Sequence, residues 1–475
     1  MKYQNLAFIL HELLFPIRLV IHLLKGLFGR FLLNRRKFRR IKQKLPQYPQ
    51  QLLLLLLIGI VAVSGCQTLR SRVDADKVIH LTLWHGVNPP PNRDVLQKLV
   101  DKFNQTHTDI QVESLYIGQQ DQQTPKILAA VVGNAPPDLL WYNPTIAGQL
   151  VELGALIPVD EMLANSPVKN EIDPTLYASM EYKGQLWSVP FATNNLGIFY
   201  RPSLFKAAGI TKIPRSWAEF RQVAKQLTLD MNNDGQIDQY GMFLPLGKGE
   251  FTVFTWLPFM WSSGGELVSS DAQNPAGVRL TENPGAIAAL QFWRNLITDG
   301  STMLSSPERG YETDPLLSGK VAMQINGPWN LGQFQDTQVD FGVFPLPADQ
   351  KQSTNIGGEN LFLFKTTPER QNATFKFAEY AMSADFQTEL ALGTGYLPIN
   401  LKSRQSTKYQ EFVNKIPQVK IFLEQAQYGR SRPIFPGYNR ISDGIGRAVE
   451  AVLLGKLSPT EALQASQQRL DLIFK

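Results

Sequence analysis

From residue 78 onward the apolar positions of the chain alternate between two spacings. Ile79, Leu81 and Leu83 are separated by single polar residues up to Trp84-His85-Gly86, the period of two expected of a half-buried strand that runs into a glycine loop. After the break at Pro89-Pro90-Pro91 the spacing changes. Val95, Leu96, Leu99, Val100 and Phe103 share one face of a 3.6-residue period, which predicts an amphipathic helix with Asn92 as its N-cap. Ile110 to Ile117 reads as a second strand, Gln123 to Val132 as a second helix, and Pro136 to Tyr142 as a third strand. Strands and helices taken in turn predict a parallel sheet covered by helices on both faces. In such sheets a ligand sits beyond the carboxyl ends of the strands, where Trp84-His85 and Tyr142-Asn143 fall.

The same mixture continues to the end of the chain. Ala286 to Ile297, Pro368 to Met382 and Ile441 to Leu454 read as helices; Val321 to Asn326, Phe341 to Phe344 and Leu361 to Phe364 read as strands. Ser458-Pro459-Thr460-Glu461 offers a capping serine, proline at the first helical position and a reciprocal glutamate. No internal repeat or low-complexity tract follows Cys66, and Leu69 to Lys77 is a short polar tether.

Ahead of residue 66 the pattern differs. Basic residues from Arg35 to Lys44 precede an apolar run of 12 residues, Leu52 to Val63, which ends in Ser64-Gly65-Cys66. This layout resembles a bacterial lipoprotein signal, and the resemblance implies cleavage before Cys66 and fatty acyl chains, palmitate among them, on that cysteine. Twelve apolar residues are too few to span a bilayer comfortably, which argues against a plain transmembrane anchor. Phe8 to Leu33, apolar with scattered Arg and Lys, suits an interfacial amphipathic helix. A translation start placed too early accounts for the first 50 residues equally well.

Charge sharpens this division. Residues 1–65 hold eleven Lys/Arg against one acid, Glu12, so the +6 of the whole chain leaves −4 for the remaining 410 residues. A mildly acidic body has no basic footprint for nucleic acid. The single cysteine excludes a disulfide framework.

Several segments, in order, resemble the extracellular solute-binding proteins of family 1, the sugar-binding subunits of bacterial ABC importers. They are Leu81-Thr82-Leu83-Trp84-His85-Gly86, Gly133-Asn134-Ala135-Pro136-Pro137-Asp138-Leu139, Tyr182 to Pro190 with Phe199-Tyr200-Arg201, and Ser203 to Ile210 with Ser216-Trp217-Ala218-Glu219-Phe220. Trp261-Ser262-Ser263-Gly264-Gly265-Glu266, Asn326-Gly327-Pro328-Trp329, Gly395-Tyr396-Leu397-Pro398 and Arg432-Pro433 complete the series. The resemblance implies an α/β, two-lobed periplasmic-binding-protein-like fold with a hinge and an interlobe ligand cleft. The expected partition is 1–65 for extension and signal peptide, 66–77 for the tether, 78–190 with 325–368 for lobe 1, and 191–324 with 369–475 for lobe 2. The implied function is capture of a neutral sugar (a di- or oligosaccharide or a glycosylated polyol) by lobe closure. The sugar would pass unaltered to ABC permease subunits with their ATPase. The protein would be an exported monomer, held by lipid on the cell membrane and facing the periplasmic or extracellular side.

Sugars present flat apolar faces and a rim of hydroxyls, so their site needs aromatic platforms and fixed polar partners. The resemblance offers His85, Gln120, Asp121, Asn143 and Asn194 as polar candidates, with Gly358 and Glu359 in Ile356-Gly357-Gly358-Glu359-Asn360. Phe259 and Trp261, before the turn at Gly264, are the expected stacking surfaces; Trp329, Tyr396, Arg432 and Tyr438 close the set. A glycerol-3-phosphate-type binder of the same family is the alternative, with Arg432 and either Arg430 or Arg440 as the basic cluster for its phosphate. Asp230, Asn232, Asp234 and Asp238 are spaced as in a calcium loop with Gly235 at position six, but position twelve is Gly241 in place of a bidentate glutamate. A lipid-anchored carbohydrate-active hydrolase has less support, since no Gly-x-Ser-x-Gly elbow, His-Glu-x-x-His or phosphate loop occurs.

Overall fold

The computed structural model describes residues 78–268, 277–305 and 313–474. Cys66, the tether and the N-terminal extension lie outside the described residues. In chain order the main elements begin with β1 (Ile79–His85), α1 (Pro90–Thr106), β2 (Ile110–Tyr116), α2 (Gln120–Val132), β3 (Leu139–Tyr142) and β4 (Ser188–Asn194). They continue with β5 (Gly197–Tyr200), β6 (Tyr240–Leu244), α3 (Glu250–Ser262), α4 (Pro284–Thr298), β7 (Thr302–Leu304), β8 (Val321–Asn326) and β9 (Gly342–Pro345). The last are β10 (Gly357–Leu363), α5 (Pro368–Met382), α6 (Ala384–Thr394), α7 (Tyr438–Leu453) and α8 (Pro459–Ile473).

The strands form two five-stranded sheets, ordered β2-β1-β3-β10-β4 and β9-β5-β8-β6-β7. In the first sheet β1 pairs in parallel with β2 and β3, while β10 runs antiparallel to both β3 and β4. Each sheet has its own core. Leu81, Leu83, Leu99, Phe103, Phe377 and Phe386 pack in the first lobe; Met242, Trp256, Trp293, Ile445 and Val449 pack in the second. The chain leaves the first sheet at Asn195-Leu196 and returns between β9 and β10.

This topology corrects the partition expected from the sequence. Residues 325–326 and strand β9 belong to the second sheet, whereas α5 and α6, expected in lobe 2, bury Ala378 and Phe386 in the first core. A short apolar run carries no mark of which sheet it will join, so crossings between lobes cannot be read from periodicity. The capping box at Ser458 and Glu461 is present as predicted. Asn92 does not cap α1, which starts at Pro90. Inside the first turn its Nδ2 donates to the Trp329 carbonyl at 2.9 Å, tying α1 to the segment after β8.

Candidate functional site

The carboxyl ends of β1, β3 and β4 open onto a cavity between the two sheets. Its volume is about 140 Å³. Its walls come from Gly86, Asn88, Gln119, Gln123, Trp141, Tyr142, Asn143 and Asn194, then from Phe251 and Phe254 of α3, and from Trp329, Gly357, Gly358, Glu359, Tyr396 and Arg432.

The polar residues are placed by the ends of strands. Asn143 follows β3, and its Oδ1 accepts from the Thr145 amide at 3.0 Å, capping a short turn and leaving its Nδ2 buried without a partner. Asn194 ends β4 opposite Gly357, and its Oδ1 is likewise unpaired. A Cβ on Gly357 would overlap that oxygen and come 2.7 Å from the Phe254 ring, so only glycine leaves both side chains in place. Gly358 adopts φ +127°, a conformation that favours glycine, and lets β10 close on the Ala192 carbonyl. Glu359 lies two residues beyond Gly357, on the face shared with Asn194. Its Oε2 is shielded and has no hydrogen-bond partner.

A line of rings crosses the cavity from one lobe to the other. Trp329 has Phe254 of the second lobe at 6.4 Å between centroids and Tyr396 of the first lobe at 6.3 Å. Gly327 provides the room for Trp329, because a Cβ there would overlap the indole. The Arg432 guanidinium lies 4.8 Å from the Phe254 centroid and forms a buried ion pair with Glu250. Glu250 also accepts from the hydroxyls of Tyr438, at 3.3 Å, and Ser442.

Buried polar groups are normally paired. Around this cavity Trp141 Nε1, Asn143 Nδ2, Asn194 Oδ1, Glu359 Oε2 and Arg432 Nε are buried and unpaired. They form a set of donors and acceptors beside aromatic faces, which suits a ligand bearing both apolar and hydroxyl surfaces. The Glu359 carboxyl is pushed up to about 8, because withdrawal from water outweighs the pull of the Arg432 charge. Arg432 loses water too, but the Glu250 carboxylate more than compensates and holds it above its ordinary value.

Residues 98–417 match the family described as bacterial extracellular solute-binding protein. The chain belongs to that family. It is 22% identical over 381 residues to the maltotriose-binding protein of Pyrococcus abyssi, spanning 78% of this chain and 77% of that protein. It is 24% identical over 449 residues to the sn-glycerol-3-phosphate-binding periplasmic protein of Brucella melitensis, spanning 87% and 97%. The maltose/maltodextrin-binding domain of Bdellovibrio bacteriovorus bound to maltotriose shares the fold, with TM-score 0.73 at 24% identity over 83% of this chain and 99% of that one. The family consists of binding proteins that work outside the cytoplasm with ABC importers. Among the described residues no helix is long and apolar enough to cross a membrane.

In this solute-binding protein Asn143, Asn194, Trp329, Gly358, Glu359, Tyr396 and Arg432 line the cavity. The other sequence-predicted residues have different places, and the side chain of Gln120 is outside the description. His85 is buried behind the cavity wall, where its Nδ1 accepts from the Val87 amide at 3.3 Å. Burial, with Arg93 nearby, lowers its pKa to about 4 and keeps it neutral. Phe259 and Trp261 lie inside α3, not in the loop before the glycines, and both belong to the second core. Gly264 forms the left-handed turn after α3, with φ +78°. Asp121 and Tyr438 line a second space between the lobes, about 790 Å³, together with Thr124, Tyr142, Gln149, Lys248, Glu250, Asn439 and Ser442.

The oxygens of the Asp230 loop turn inward. Asp230 accepts from the amides of Asp234 and Gly235, Asp234 from that of Gln236, and Asp238 from that of Met231. Among the described residues no group of three or more His, Cys, Asp or Glu is placed to hold a metal ion. The cavity also contains Tyr142, at the strand end where a ligand was expected, and residues that the sequence did not single out: Asn88, Gln119, Gln123, Trp141, Phe251 and Phe254. Trp141 reads as core in a strand with no polar positions, and α3 is apolar around its whole circumference, which hides its ligand-facing side. The available signal is position alone, at a strand end or a helix start.

Proposed function

We propose that the cleft captures a neutral sugar and releases it unaltered to an ABC permease. The observation that carries this reading is the line Phe254–Trp329–Tyr396 beside unpaired amide, indole and carboxyl atoms. Rings from both lobes meet the ligand together only when the lobes are closed, so binding shifts the open–closed equilibrium. A phosphate would need a cation to spare. The guanidinium on this cavity is already neutralised by Glu250, which disfavours the glycerol-phosphate alternative. Lipid attachment at Cys66, monomeric state and a surface-anchored location complete the proposal.

Tryptophan fluorescence titration with maltose, maltotriose, trehalose and sucrose tests this reading, with saturable shifts and unchanged sugar recovered as the expected result. Trp329→Ala is expected to weaken binding by about 2 kcal/mol, roughly thirtyfold. Wild-type affinity in that variant would remove Trp329 from the site.

Near neutral pH Glu359 is protonated and donates to a ligand oxygen. Because its pKa in the folded protein is raised and the neutral form binds, affinity should be level at about pH 7 and below, then fall as pH rises through about 8. The neighbouring Arg432 and Tyr396 are both held above their ordinary values and keep one form across that window. Glu359→Gln retains a donor, so its affinity should stay level with pH. A pH-independent wild type in calorimetric titration would contradict this role.

A further inference from the structure

The two lobes meet where the first turns of α2 and α3 approach each other. Asp121, in the first turn of α2, accepts a hydrogen bond through Oδ1 from the Glu250 amide at 3.1 Å. That amide is one of the free N–H groups at the start of α3, where the helix dipole favours a carboxylate. Gly249 makes the approach possible, since a Cβ at that position would overlap the Asp121 carboxylate. The helix α2 connects strands of the first sheet, whereas α3 packs in the second core, so the contact joins one lobe to the other.

Its position links it to the ligand cavity. Gln119, just ahead of α2, and Gln123 within it, with Phe251 and Phe254 of α3, line the inner cavity, whereas Asp121 and Glu250 line the second space. The contact therefore lies on the wall between the two. The side chain of Glu250 holds Arg432, which lines the inner cavity, so the same helical turn meets both the ligand-facing guanidinium and the opposite lobe.

We propose that Asp121 is a positioning residue that latches the two lobes together by docking its carboxylate on the start of α3. This rests on the reading that the lobes close over a ligand. The latch does not touch the ligand; it adds stability only to the closed form and thereby tightens binding.

The test uses the full chain with Cys66→Ser and spin labels on cysteines replacing the exposed Val132 in the first lobe and Leu472 in the second. Electron–electron resonance distances are recorded against maltotriose concentration. Asp121→Ala should need about tenfold more maltotriose for half closure. Gly249→Ala, which displaces the same carboxylate from the other lobe, should act similarly, and the double variant should be no worse than either alone. Asp121→Asn, which keeps an acceptor oxygen, should recover part of the loss. If maltotriose leaves the wild type unchanged while Asp121→Ala still shifts distances outward, the latch stands and the sugar assignment fails. Distance distributions identical to wild type in Asp121→Ala and Gly249→Ala, with and without maltotriose, overturn the latch.

Discussion

Trp261→Ala is expected to lower stability by about 3–5 kcal/mol while leaving the sugar affinity of the folded protein unchanged. Trp261 is 2% exposed on the last turn of α3, and one of its faces lies 5.2 Å from the Arg430 guanidinium. Truncation leaves a large hole in the second core, which the surrounding Trp and Phe side chains cannot fill without leaving their own contacts. Urea unfolding followed by far-ultraviolet circular dichroism measures the loss, and titration under native conditions measures affinity. Unchanged stability with abolished binding would return Trp261 to the ligand site.

Glu250→Ala should destabilise the second lobe by about 3–5 kcal/mol and also weaken ligand binding. The substitution leaves Arg432 charged and buried with its partner gone, and removes the acceptor of Tyr438 and Ser442. Removing both charges should be milder, because an apolar pair carries no unpaid desolvation. The double variant Glu250→Ala/Arg432→Met is therefore expected to recover much of the unfolding midpoint without recovering affinity. A single variant as stable as wild type would mean that the pair is solvated.

The two cases show what local sequence carries. Strand β1 and helix α1 were legible because each faces a single core, so their apolar residues keep one period. The cap at Ser458 was legible because its chemistry is contained within four residues. Asn143 and Asn194 could be singled out because they stand where β3 and β4 end, and Glu359 because it follows the glycine pair Gly357-Gly358. Trp261 was misplaced for the opposite reason: the glycines at 264 and 265 suggest a loop, but α3 continues to Ser262 and the turn begins only beyond it. Asp121 has no local signal for its role, since its partner amide is 129 residues away and belongs to the other lobe. The assignment of β9, α5 and α6 to lobes failed on the same ground, because crossing points depend on pairing between distant strands.

On the proposed function the inner cavity takes an uncharged sugar rather than a phosphorylated polyol. Calorimetric titration of the wild-type protein with maltotriose, maltose, trehalose and sucrose, each repeated with saturating sn-glycerol 3-phosphate present, tests it most directly. Saturable heat from at least one sugar, unaffected by the phosphate, is the predicted result. Binding of glycerol phosphate with no heat from any of the sugars would contradict it.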